Sequence, residues 1–353
     1  MFGSRISPSF PRKREPITTV VANLLRLWLW VPAFAGTTAF AISLLINSAQ
    51  AQDYPSRNVT IIVPYAPGGT TDAIARLLAQ SLEQRLGHTF IVESRPGSAS
   101  IIGAAYVARA AADGYTLLLG TSTTMAINVS IYKALTYDPV KDFAPVALVA
   151  GIPFLLVVNP SLPVHSLDEL ATYAKSLPQG LTYASNGRGG AAHLFAESLK
   201  SALGIEMTHV PYKGLAPALN DVMAGHVHLM FCDFATALPL HRAGKLRALG
   251  VSTAKRVSAA PDIPALAEIG MPGFDANSWQ MLVAPAAIPM DALNKLNSTI
   301  RAIMSQPDVE KHMATLGLIP IVSAPPDELR SYVKSEIARW GKVVQQAGIT
   351  STE

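Results

Sequence analysis

Val59-Thr60-Ile61-Ile62-Val63-Pro64-Tyr65-Ala66-Pro67-Gly68-Gly69-Thr70-Thr71-Asp72 is the stretch on which the fold turns. Its first five residues are an apolar, β-branched run of the kind that makes a buried parallel strand, and the run stops at a Pro-Gly-Gly turn. Ile74, Leu77, Leu78, Leu82 and Leu86 then fall on one face at helical spacing, with Thr70, Thr71 and Asp72 as residue types that cap a helix start. Strand, glycine turn and helix together aim unpaired N–H groups at one point, where the helix dipole adds roughly half a positive charge. Gly68 and Gly69 let a ligand approach the main chain closely, so the turn suits a carboxylate or phosphate. A turn that merely joins strand to helix needs the same glycines, and the local pattern leaves the two readings level.

Similar units follow. Thr89-Phe90-Ile91-Val92 reads as a second strand, residues 101–112 as an Ala-rich helix, and Tyr115-Thr116-Leu117-Leu118-Leu119 as a third strand closing on Gly120-Thr121-Ser122. A looser stretch with Tyr137-Asp138-Pro139 and Phe143-Ala144-Pro145 precedes the apolar run 153–158, which opens a second α/β half. There Leu181-Thr182-Tyr183-Ala184 leads into Ser185-Asn186-Gly187-Arg188-Gly189-Gly190 and a helix carrying His193. Further strands fit residues 207–210, 227–231 and 246–251, Trp279-Gln280-Met281-Leu282-Val283 reads as a return strand, and residues 292–305 and 326–348 read as helices. Alternating strands and helices imply an α/β protein with mainly parallel sheets flanked by helices and ligand sites outside the strands' carboxyl ends. One glycine turn in each half predicts two lobes facing across a cleft.

Residues 1–51 read as a signal peptide. Basic residues precede an apolar stretch, and Ala49-Gln50-Ala51 fits a small-x-small cleavage site, which would leave Gln52 first in a periplasmic protein. Retention of this segment as a membrane anchor is the competing expectation, because residues 24–46 are long enough to span a bilayer. The segment holds five of the 28 basic and one of the 24 acidic side chains, so 23 of each remain and the exported chain carries no formal net charge. Nucleic-acid binding needs a basic surface and gets no support here. With one cysteine, Cys232, the chain can form no internal disulfide and no Cys-x-x-Cys metal site.

Other chemistries can be weighed against these residues. Gly187-Arg188-Gly189-Gly190-Ala191-Ala192 matches a dinucleotide fingerprint after a strand and before a helix, but the ribose-binding acid should close the next strand and Glu206 precedes it. No Gly-Lys-Ser/Thr follows Gly68-Gly69, so a Walker loop is absent. Gly120-Thr121-Ser122-Thr123-Thr124 lacks the second glycine of a hydrolase elbow, leaving Ser122 as an unsupported nucleophile. His226 and His228 share a strand face and could ligate metal with Asp233, although two such histidines are more often solvated or hydrogen-bonded; no metal is expected. His193 either donates to a ligand or packs in the first helical turn, and Asp72 either stabilises its own helix or meets a ligand's ammonium group.

Several segments carry a resemblance. Tyr54-Pro55, residues 61–72, Arg95-Pro96-Gly97, Tyr137-Asp138-Pro139, Asp142-Phe143-Ala144-Pro145, Tyr183-Ala184-Ser185-Asn186-Gly187 with His193-Leu194, Val210-Pro211-Tyr212-Lys213-Gly214, residues 244–249 and Arg339-Trp340 resemble, in order, the substrate-binding proteins of tripartite tricarboxylate transporters, also called the Bug family. The resemblance implies a two-lobed periplasmic binding protein of type II, with lobe 1 over residues 52–150 and 279–353 and lobe 2 over 151–278. It implies a monomer that closes on a small organic carboxylate, uses no cofactor and delivers the ligand to membrane subunits. It also implies that Tyr65, Pro67, Gly68, Gly69, Thr70 and Asp72 grip the ligand from the first lobe, and Ser185, Gly187, Gly189 and His193 from the second, with Ser122 and Asp233 at neighbouring strand ends. Gly190 stands where the family commonly has a hydroxyl residue, which bears on ligand choice. The competing expectation is an exported enzyme on a carboxylate substrate, either a hydrolase at Ser122 or a nucleotide-dependent oxidoreductase at Gly187.

Overall fold

The β-branched run Val59–Val63 (β1) is buried along nearly its whole length and passes through the glycine turn into helix Thr70–Leu86 (α1), whose buried face carries Ile74, Leu78 and Leu82. This is a computed structural model, and it describes residues 53–349; the signal-peptide expectation lies outside them. Phe90–Ser94 (β2) runs parallel to β1 on one side. After helix Ile101–Ala108 (α2), Thr116–Thr121 (β3) runs parallel to β1 on the other. A wide helical turn, Thr123–Ile127, and the short helix Asn128–Ile131 (α3) follow, and then a ten-residue strand, Phe143–Ile152 (β4), buried throughout.

At Pro153 the chain changes sheets, entering Phe154–Val158 (β5). The second sheet is built from Leu167–Ser176 (α4), Leu181–Ser185 (β6), Ala191–Leu203 (α5), Met207–Pro211 (β7), Leu215–Ala224 (α6), Leu229–Asp233 (β8), Phe234–Arg242 (α7) and Arg247–Val251 (β9). The chain returns along Ser278–Pro285 (β10) and finishes with Met290–Met304 (α8), Pro307–Thr315 (α9), Ile319–Pro320 (β11) and Pro326–Gln346 (α10). Strand order is β11-β4-β10-β3-β1-β2 in the first sheet and β7-β6-β8-β5-β9 in the second.

Both sheets are mixed, with most strands running one way as expected: β1, β2, β3 and β4 in the first, and β6, β7, β8 and β9 in the second. β10 lies antiparallel between β3 and β4, and β5 lies antiparallel between β8 and β9. The cause is the crossing itself. A strand that leaves one sheet at its cleft end must be matched by strands that start from that end, and these run against the βα units. Local alternation of strand and helix carries no record of such insertions.

Because one residue separates β4 from β5, the ends of the two sheets face each other. Gln280 pairs with Thr121 at this end of the first sheet, and Phe154 with Asp233 at this end of the second. α10 packs across the junction. Its Trp340 stacks on Phe195 of α5, with ring centroids 5.7 Å apart and planes 27° apart. One hydrophobic core accordingly runs through residues of both halves, and a second fills the outer side of the second sheet around Phe234 and Leu246.

Candidate functional site

The first turn is open above its glycines. Gly68 has φ +85°, a backbone region that favours glycine, and a Cβ built on Gly68 or Gly69 would meet nothing within 4 Å. The amides of Gly69, Thr70 and Thr71, at the start of α1, have no acceptor among the described residues. The amide of Gly68 is engaged: it donates to Asp72 Oδ2 at 3.1 Å. Asp72 also takes Arg76 Nε at 2.9 Å and Nη2 at 3.2 Å, and these bonds from Arg76 hold its carboxyl below the usual range. Asp72 therefore braces the turn and its own helix. Gly69 is the residue preceding the helix and no side chain caps it, so the expected caps act elsewhere.

Thr70 acts across the molecule. Its hydroxyl donates to Asp233 Oδ2 at 3.0 Å, joining the start of α1 to the end of β8. Burial raises the Asp233 carboxyl, with the Thr70 hydroxyl pulling the other way. Two expected residues from opposite halves thus meet directly. Tyr65, half-buried, bonds Thr121 Oγ1 at 2.8 Å, and Thr121 is linked in turn to Thr124 at 3.2 Å and Thr124 to Ser100 at 2.8 Å. Pro67 is exposed on the rim.

The second turn is wired inward. Ser185 is fully buried; its hydroxyl donates to Gly187 O at 2.9 Å, accepts from Gly187 N at 3.3 Å and meets His209 Nε2 at 2.7 Å. Gly189 N donates to His193 Nδ1 at 2.9 Å. That bond requires an unprotonated Nδ1, so the neutral ring carries its proton on Nε2. His193 is 4 % exposed and its Nε2–H has no partner among the described residues. Burial first, then His209 and Arg188, push its pKa down to about 3, and burial and Arg188 push that of His209 to about 4. The two rings stack at 3.8 Å, and Tyr183 stacks on His209 at 4.9 Å while donating to Glu197. Gly189, at φ +77°, touches the first half: a Cβ there would lie 2.4 Å from Ile131 Cδ1 of α3. Gly190 precedes α5 without a side-chain cap.

Other residues fall outside this arrangement. Ser122 is fully buried, and its hydroxyl's hydrogen-bond partner among the described residues is Ser278 Oγ at 3.0 Å rather than a histidine. Glu206 lies at the opposite end of β6 from Gly187, where its carbonyl accepts from Leu181 N. His228 Nδ1 holds Thr182 N at 2.9 Å, His226 meets Asp221 at 3.3 Å, and Asp233 lies at the far end of β8, so the three do not converge. Cys232 is buried, and burial pushes its thiol up.

The structure adds Gln280, which the motifs did not single out. It is fully buried, its Nε2 donates to Thr71 Oγ1 at 2.7 Å, and its Oε1 has no partner among the described residues. The available signal was one polar residue inside the otherwise apolar strand around Trp279 and Met281. A buried amide with one end unpartnered is costly, and Gln280 carries that cost where it bonds the start of α1.

A two-sheet α/β molecule whose facing sheet ends present helix N-termini belongs to the class of periplasmic binding proteins. Residues 74–349 match the model of the tripartite tricarboxylate transporter family receptor, and the chain belongs to that family. It is 35 % identical over 327 residues to Protein BugT of Bordetella pertussis, covering 92 % of this chain and 98 % of that protein. Among solved structures it resembles R. palustris Rpa4515 with adipate at 40 % identity and a TM-score of 0.79, covering 84 % of this chain and 99 % of the other. It also resembles MatC from Rhodopseudomonas palustris with bound malate at 35 % identity and a TM-score of 0.74, covering 82 % and 100 %. It is a solute-binding protein of that family.

Proposed function

We propose that this protein is an exported, monomeric receptor that closes on a small organic carboxylate and hands it to the membrane subunits of a tripartite tricarboxylate-type transporter. The lobes divide near Pro153 and near residues 276–278, and these crossings act as the hinge. The observation that carries the reading is the Thr70–Asp233 hydrogen bond, which joins the first turn to the strand end beside the second. Adipate and malate in the related structures supply the ligand class.

In this reading the amides of Gly69, Thr70 and Thr71 take one carboxylate, with Tyr65, Pro67 and Gly68 shaping the seat. His193 donates from the other lobe. Asp72, Ser122, Ser185, Gly187 and Gly189 hold the two turns in position, and Asp233 closes on Thr70. Each charge-assisted hydrogen bond contributes about 1.5–3 kcal/mol, so a few reach micromolar affinity, roughly −8 kcal/mol. No step in this cycle breaks a covalent bond. Removal of residues 1–51 precedes it.

The test is mass spectrometry of the small molecules carried through native purification, with thermal shift against di- and tricarboxylates, amino acids and NAD(P). A carboxylate at 100 times its Kd should add about 2.7 kcal/mol of stability. A shift with NAD(P) alone would remove the receptor reading.

A further inference from the structure

The two turns do not present the same chemistry, and the difference singles out one residue. At the first turn, the amides of Gly69, Thr70 and Thr71 have no acceptor among the described residues. At the second, Gly187 N is engaged by Ser185 and Gly189 N by His193, while Ala191 and Ala192 at the helix start are 7 % and 3 % exposed. What the second turn adds to its remaining main-chain amides is side chains: the Nε2–H of His193 and the guanidinium of Arg188, which sits between the two engaged glycines.

Arg188 is exposed and has no ion-pair or hydrogen-bond partner among the described residues. The groups that feel its charge are His193, His209 and Tyr183 on its own side and Tyr132, next to Ile131, on the other. The positive charge therefore lies beside the Nε2–H of His193, and next in sequence to Gly189, where the turn touches Ile131 of the first half of the molecule. Among these neighbours the only carboxylate is Glu197, which already accepts from the Tyr183 hydroxyl. An unpaired guanidinium is a planar fork of donors suited to a carboxylate.

We propose that Arg188 is a specificity-determining residue of the cleft, pairing with a second carboxylate on the ligand so that the protein takes dianionic acids in preference to monoanionic ones. This rests on the receptor reading above and deepens it. The first carboxylate sits on the free amides of the first turn and the second between Arg188 and His193. A monoacid of the same length would leave the guanidinium without its counter-charge.

The experiment is titration calorimetry of the ligand-stripped protein with succinate, malate, glutarate and adipate, each beside its own monoamide, which keeps the shape and removes one charge. In wild type, the best diacid should bind at least tenfold tighter than its monoamide. Arg188→Gln should weaken that diacid at least tenfold, leave the monoamide within threefold and flatten the dependence of diacid affinity on salt. Arg188→Lys should recover part of the loss. Equal weakening of both members, unchanged binding of both, or a wild-type preference for the monoamide would overturn the proposal. Failure of every pair to bind would instead remove the receptor reading, and Arg188's role with it. Circular dichroism of Arg188→Gln separates these outcomes from misfolding, which exposure of the side chain makes unexpected.

Discussion

Gly69 offers a clean separation of folding from binding. Its φ of −88° and ψ of 176° suit any residue, and the space above it is open. Gly69→Val should therefore leave the melting temperature within a few degrees while abolishing carboxylate binding by calorimetry; retained affinity would move the grip elsewhere. At the second turn the buried histidines set a pH dependence. Folded His193 and His209 titrate near 3 and 4, below the usual 6.5 of an unfolded chain. Between these values the unfolded state binds more protons, so stability is complete above about pH 6.5 and falls as pH drops toward 3. His209→Phe keeps a ring in the stack and should flatten part of that fall in a series of thermal melts. The sequence named His193 but left its role open, because a tautomer is decided by what faces each nitrogen. Gly189 N faces Nδ1 here, and that contact appears only once the turn is folded.

α10 shows how one helix holds two halves together. Leu329, Val333, Glu336, Trp340 and Val344 recur every three or four residues on its buried face, a spacing the sequence displays plainly. Glu336 is the exception in that apolar row. Its Oε2 accepts both Trp279 Nε1 at 2.7 Å and Trp340 Nε1 at 3.0 Å, and Oε1 meets Arg339 at 3.4 Å. Arg339 also reaches the Asp275 carbonyl, beside the return crossing. Replacing Glu336 by Leu orphans two buried indole N–H groups, and denaturant unfolding should register a loss of about 3 kcal/mol. The turn before α5 has its own constraint. Gly189→Ala forces a left-handed backbone on a residue with a Cβ and pushes it onto Ile131, so stability should fall by about 1–2 kcal/mol and carboxylate affinity with it.

For the molecule as a whole, the hydrogen bond from Thr70 to Asp233 links the halves on the cleft side, while Phe195 and Trp340 stack across them under α10. Thr70→Val should shift the ligand-free protein toward an open form, seen as a larger radius of gyration in solution scattering that contracts again on saturation with a bound acid. An unchanged ligand-free radius would show that the bond does not govern closure. By itself the sequence determined the βα units, the two glycine turns, the buried strands and the family, because strand and helix periodicity and turn chemistry are written between near neighbours. It read the Ala- and Pro-containing start of β4 as a loose stretch, since that strand owes its conformation to burial between β10 and β11 rather than to its own propensity. Only the tertiary structure decided that β10 runs against β3, that Gln280 bonds Thr71, and that the second turn engages the amides of Gly187 and Gly189 internally while Arg188 has no partner among the described residues. Those features depend on contacts between residues tens to hundreds of positions apart, and no local pattern fixes which distant group will fill a given hydrogen-bonding position.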